Sequence, residues 1–123
     1  MTSALLCLAL NVYHEARGEP FAGQVAVAQV VMRRAQYDKA KACAVVAAPR
    51  QFSWTRSPSR VRDKAAWGRA VLAAQKALLW AKGAGVDESR GADHYHASHV
   101  RPRWARGMWP VRQIGGHLFF RSR

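Results

Sequence analysis

The sequence predicts a mainly helical α+β domain that closes on a small C-terminal β-hairpin. Three observations carry this. Apolar side chains recur at three- and four-residue spacing in the first third of the chain and again over residues 60–82. Glycine or proline stands where each of these patterns stops. Residues 111–121 instead alternate around Gly115-Gly116. The chain has 123 residues, half of them apolar, which is enough for one core and too few for two, so residues 1–123 are expected to form a single domain.

Residues 3–17 read as the first helix, with Thr2 or Ser3 as N-cap. Leu5, Leu8, Ala9, Val12 and Ala16 share one arc, with Asn11, His14 and Arg17 away from it. Glu15 stands beside Leu8 at the edge of that arc, where partial desolvation favours its neutral form and raises its pKa. Gly18 ends the helix, since it can adopt the left-handed backbone of a C-terminal cap. Pro20 suits the first turn of a second helix over residues 20–34, and Arg33 and Arg34 complement the negative end of its dipole. Val25, Val27, Val30 and Val31 would also suit a buried strand; length and flanks favour the helix.

Asp38 opens a short helix that closes before Pro49. Residues 50–58 have no helical period and include the aromatics Phe52 and Trp54. In the clearest helix, residues 60–82, Trp67, Val71, Ala74 and Leu78 form the expected buried stripe, and Gly83 and Gly85 end it. Residues 87–106, rich in His, Arg and aromatics, read as a long surface loop with local structure. The hairpin follows.

Twenty Lys and Arg against seven Asp and Glu give a net charge of +13, unevenly spread. Residues 1–48 hold five basic and three acidic side chains, whereas residues 49–123 hold fifteen and four. The later part is therefore a surface that meets a polyanion: nucleic acid, a phosphate-bearing envelope polymer or outer-membrane lipid. Cys7 and Cys43 are too few for a disulfide framework; two small buried thiols are the favoured reading over a single bond. No apolar run approaches the roughly 18 residues that cross a membrane. The run Ala4–Leu10 lacks a preceding Lys or Arg and continues into the first helix, so no export signal is expected.

Glu15 and Glu19 are two of the seven acidic residues, and they flank Gly18. Glycoside cleavage commonly uses two carboxylates placed across the scissile bond. Side chains four apart on an unbroken helix project side by side and cannot do this. An acid role for Glu15 and a cap or cleft-wall duty for Glu19 at the start of the second helix fit this spacing, and so do two solvated helix-end carboxylates, which the pattern alone favours.

The segments Glu15-Ala16-Arg17-Gly18-Glu19-Pro20, Gly23-Gln24-Val25-Ala26-Val27-Ala28 and Val31-Met32-Arg33-Arg34 resemble the opening of the SleB/CwlJ-type cell-wall hydrolases. That family includes spore-cortex lytic enzymes and phage endolysins. Gln51-Phe52-Ser53-Trp54, Ala92-Asp93-His94-Tyr95-His96, Trp104-Ala105 and Ile114-Gly115-Gly116-His117-Leu118-Phe119 follow in the family's order. His94-Tyr95-His96 departs from the usual neighbours of that aromatic. The resemblance implies a lysozyme-like helical domain that cleaves the glycan strand of peptidoglycan, typically as a lytic transglycosylase, with Glu15 as the essential acid.

One carboxyl suffices for such chemistry. It protonates the glycosidic oxygen and then, as carboxylate, takes the proton of the muramic acid 6-hydroxyl, whose oxygen closes onto the anomeric carbon. Positioning the sugar falls to polar and aromatic cleft residues, for which Glu19, Gln51, Ser53, Trp54, Tyr95, Trp104 and His117 are the candidates. No cofactor is needed. His94, His96 and His99 could hold zinc, as in a zinc amidase, but the His-Glu-x-x-His pattern is missing. A plain muramidase would use the same acid. Residues 101–112 would also suit a basic nucleic-acid-binding module, although no nucleic-acid motif frames that stretch. The partners expected are peptidoglycan and an anionic envelope surface met by basic residues, with no specific nucleic acid and a monomeric chain. An endolysin made in the host cytoplasm and released to the wall with a holin would fit these features.

Overall fold

The computed structural model describes residues 1–48 and 60–123. Among these residues four α-helices are followed by three strands: α1 Ser3–Ala16, α2 Phe21–Arg34, α3 Ala42–Ala47, α4 Lys64–Ala81, β1 His94–Ala97, β2 Trp109–Ile114 and β3 His117–Arg121. The strands form one antiparallel sheet in the order β1-β3-β2. The mainly helical α+β class read from the sequence is the class observed.

Helix α1 starts at Thr2, whose hydroxyl accepts the N–H of Leu5, and stops where Gly18 takes φ +85. Pro20 is the N-cap of α2 rather than part of its first turn. The helix at residues 38–47 is split into a 3-10 turn, Lys39–Lys41, capped by Asp38, and the short α3. Asp63 caps α4 by accepting the N–H of Ala66 at 2.9 Å.

The core lies where α1, α2 and α4 meet, around Leu8, Val12, Tyr13, Val27, Val31 and Met32. The stripe expected on α4 is displaced. Its fully buried seam is Ala66, Ala70, Ala73, Ala74 and Ala77, while Trp67, Val71 and Leu78 pack at the rim. Small residues let helix backbones approach closely, so the alanines face the other helices and the larger side chains fill the flanks. The Tyr13 hydroxyl accepts the backbone N–H groups of Arg62 and Asp63, tying the start of α4 to α1.

Cys7 and Cys43 are joined, which overturns the expectation of two free thiols. Leu8 and Ala9 face the core, so Cys7 is left on the side of α1 that meets α3. The loop expected over residues 87–106 contains β1, which the hydrophobic pattern did not reveal because its four residues are His, Tyr, His and Ala, all half-buried.

Buried polar groups of α2 deliver that strand. The Gln29 amide donates to the Val86 carbonyl at 2.9 Å and accepts the Ser89 N–H at 3.2 Å. Arg33 donates to Asp87 at 2.6 Å, to Ser89 Oγ at 2.9 Å and to the Ala92 carbonyl at 2.7 Å, with its guanidinium over Trp80. Arg33 is thus more than a dipole complement: it fixes the turn from which β1 departs.

Candidate active site

Glu15 sits in the last turn of α1, where the helix end meets the inner face of the sheet. The Tyr95 hydroxyl, from β1, donates to Glu15 Oε1 at 3.2 Å. Burial raises the Glu15 pKa, and the Tyr95 hydrogen bond opposes that rise by favouring the ionised form. The carboxyl is therefore biased toward the protonated acid while keeping a partner for the carboxylate, as a group that must give and retake a proton needs.

Tyr95 is itself held. Burial pushes its hydroxyl well above the usual tyrosine range, the Glu15 charge adds to this, and a hydrogen bond with Asn11 opposes it. Asn11 is one helical turn before Glu15, so both project on the same side of α1. Periodicity alone puts Asn11 on the polar side of that helix. It is instead fully buried, and it is a site residue that the sequence did not single out. A polar side chain four positions before the candidate acid was the signal available. Arg34, another omission, lies within electrostatic reach of both Tyr95 and Asp93, and burial lowers its pKa.

His117, the first residue of β3, is buried against the edge of the Tyr95 ring, with centroids 5.4 Å apart. Its ring hydrogen-bonds the Glu15 backbone and has Nδ1 3.7 Å from Glu19 Oε1. Burial lowers its pKa, and Glu19 partly offsets this.

Glu19 does not cap α2, whose N-cap has no side-chain hydrogen bond. Its Oε1 instead accepts the N–H of Gly116 at 2.8 Å, at the tip of the β2–β3 hairpin. A cap was expected because Glu19 precedes a helix N-terminus. The hairpin, distant in sequence, supplies the donor instead, and the carboxylate becomes a clamp between the α1–α2 turn and the sheet.

Four predicted residues therefore converge: Glu15, Glu19, Tyr95 and His117. Trp104 does not join them. It packs on His94, His96 and Phe120, with centroids 5.1, 5.6 and 5.7 Å away. Strand alternation places His94 and His96 on the face opposite Tyr95, so this cluster covers the outer side of the sheet. Gln51, Ser53 and Trp54 lie outside the described residues.

Residues 18–120 match a protein-family model described as Cell Wall Hydrolase. The match includes Glu19, Tyr95 and His117 and begins three positions after Glu15. The fold is similar to the catalytic domain of the SleB protein of Bacillus cereus, with TM-score 0.72 and 24% identity over 98% of this chain and 91% of that one. It is also similar to the catalytic domain of the germination-specific lytic transglycosylase SleB from Bacillus anthracis, with TM-score 0.70 and 29% identity over 98% of this chain and 96% of that one. No curated protein matches the sequence significantly.

Proposed function

The chain belongs to the cell wall hydrolase family, and on that premise we propose that it cleaves the peptidoglycan glycan strand at the β-1,4 bond between N-acetylmuramic acid and N-acetylglucosamine, as a lytic transglycosylase. The observation that carries this reading is a single carboxyl, Glu15, raised in pKa by burial and held by the Tyr95 hydroxyl, with the neighbouring Glu19 committed to the hairpin.

Protonated Glu15 gives its proton to the glycosidic oxygen as the bond to the anomeric carbon breaks. The resulting carboxylate accepts the proton of the muramoyl 6-hydroxyl, and that oxygen bonds to the anomeric carbon. No water is consumed, and Glu15 ends in the state in which it began. The hydrogen bond from Tyr95 stabilises the carboxylate between these steps. The relative described as a lytic transglycosylase supports this outcome over hydrolysis.

The Cys7–Cys43 bond favours action outside the reducing cytoplasm, as for an endolysin reaching the wall from within. Digestion of purified peptidoglycan, followed by weighing the fragments, tests the proposal. Muramoyl ends lighter by one water are expected. Ordinary reducing ends would replace transglycosylation with muramidase action, and release of free stem peptides would overturn glycan cleavage altogether.

A further inference from the structure

A cavity of about 480 Å³ opens on the outer face of the sheet, on the side away from Tyr95 and Glu15. Its walls are His96 of β1, Leu118 of β3, and the segment that leaves β1, with Arg101, Ala105 and Arg106. No carboxylate is among the described residues that line it. After Asp93 the chain has no acidic residue at all, and six arginines. Three of these six have partners or packing within the fold: Arg112 pairs with Glu88 at 3.1 Å, Arg123 lies over Trp109, and the Arg121 stem passes Gly91. Among the described residues Arg101, Arg103 and Arg106 have neither an ion pair nor a hydrogen bond.

Gathering cations around a concavity without a counter-charge costs free energy through self-repulsion, and a bound polyanion removes that cost. We infer that this cavity is a binding site for the phosphodiester backbone of an anionic cell-envelope polymer, with Arg101 and Arg106 holding the phosphates. Guanidinium groups suit this task because they present paired N–H donors to two phosphate oxygens.

Trp104 and Trp109, the tryptophans nearest in sequence to these arginines, have contacts within the fold. Binding of single strands to such a surface draws on open ring faces for base stacking. Here Trp104 is flanked by His94, His96 and Phe120, and the Trp109 ring is covered by Arg123 at 4.1 Å. Both rings keep exposed area, 38% at Trp104 and 49% at Trp109, so the rings alone do not choose between nucleic acid and an envelope polymer. The identity of the polymer rests on the reading of the chain as a wall-degrading enzyme, whereas the anion site does not. Because the site and Glu15 lie on opposite faces of one sheet, an anchored polymer would leave the catalytic side facing the glycan.

Titration calorimetry with a glycerol phosphate oligomer tests the site without any glycosidic bond being present. Arg101→Gln/Arg106→Gln should weaken binding by about tenfold or more. Arg60→Gln/Arg69→Gln, an equal loss of charge elsewhere, should stay within about twofold. The wild-type affinity should also fall steeply with salt, and the double Arg101/Arg106 variant should show a slope shallower by roughly two. Equal losses in the two double variants would overturn the site in favour of diffuse charge. So would an oligomer affinity indifferent to salt. A uridine-rich RNA of equal phosphate number binding tenfold tighter than the oligomer would replace the envelope polymer with nucleic acid. A protein that releases no glycan fragments yet shows the Arg101/Arg106 loss would retain the anion site and forfeit only the wall-degrading reading.

Discussion

Replacing Gly115 by alanine should injure the hairpin clamp far more than the same change at Gly18. Both glycines have positive φ, +53 at Gly115 and +85 at Gly18, so each replacement costs about 1 kcal/mol in backbone strain. At Gly18 a new Cβ would meet nothing within 4 Å. At Gly115 it would stand 2.4 Å from Glu19 Oε1 and 2.8 Å from Pro20 Cδ. The proline ring cannot yield, so the carboxylate must move and give up the Gly116 N–H it accepts at 2.8 Å. A hydrogen bond to a charged group contributes about 1.5–3 kcal/mol, which brings the total for Gly115→Ala to about 3 kcal/mol. For a chain of this length that is a fall of about 12 °C in Tm, against about 4 °C for Gly18→Ala. Thermal unfolding followed by circular dichroism measures both. Equal falls in the two variants would refute the clamp, because they would leave only the shared backbone strain.

Three further outcomes follow from the site and its frame. Reduction of the Cys7–Cys43 bond, which closes a sequence separation of 36, should cost about 4 kcal/mol of stability through the freed unfolded chain. The corresponding fall in Tm is about 15 °C, and an unchanged Tm in reductant would contradict it. Burial raises the Glu15 pKa, so the rate should persist above the ordinary carboxylate range and fall as pH rises through the raised value. Tyr95→Phe removes the donor that favours the carboxylate and should move this limb of the pH–rate profile to higher pH; a move to lower pH would show that the hydroxyl acts otherwise. Trp104→Ala should change KM by less than roughly threefold while lowering stability by about 1–2 kcal/mol, since its rings pack on the outer face of the sheet. A large rise in KM at unchanged stability would return Trp104 to the cleft.

The parts of the fold legible in the sequence are those governed by local rules. Thr2, Gly18 and Asp38 act at or near helix ends through their own side chains or backbone freedom, and the paired glycines of the hairpin do the same, whereas the Asp63 cap that starts the fourth helix at Lys64 rather than residue 60 was not singled out. What stayed hidden depends on distant partners. Strand β1 is specified by pairing with β3 and by Arg33 and Gln29 beneath its approach, not by alternation of its own four residues. The alanine seam of α4 is chosen by the closeness of α1 and α2. Glu19 met a donor 97 positions away, which no rule of helix capping foresees. At the site, the edge of an apolar arc made Glu15 a candidate, and the resemblance of its Glu-Ala-Arg-Gly-Glu motif to the cell-wall hydrolases singled it out. Asn11 did not, because burial of an amide becomes intelligible only once Tyr95 is seen to need it.

The central claim is that Glu15 performs the proton transfers. Glu15→Gln preserves the shape and burial of the side chain while removing the transferable proton, and it spares the fold the burden of a desolvated carboxylate. Fragment release from purified peptidoglycan should fall by about a thousandfold or more in this variant, with Tm at neutral pH equal to or above that of the wild type. Glycan cleavage at the wild-type rate by a folded Glu15→Gln protein would contradict the account.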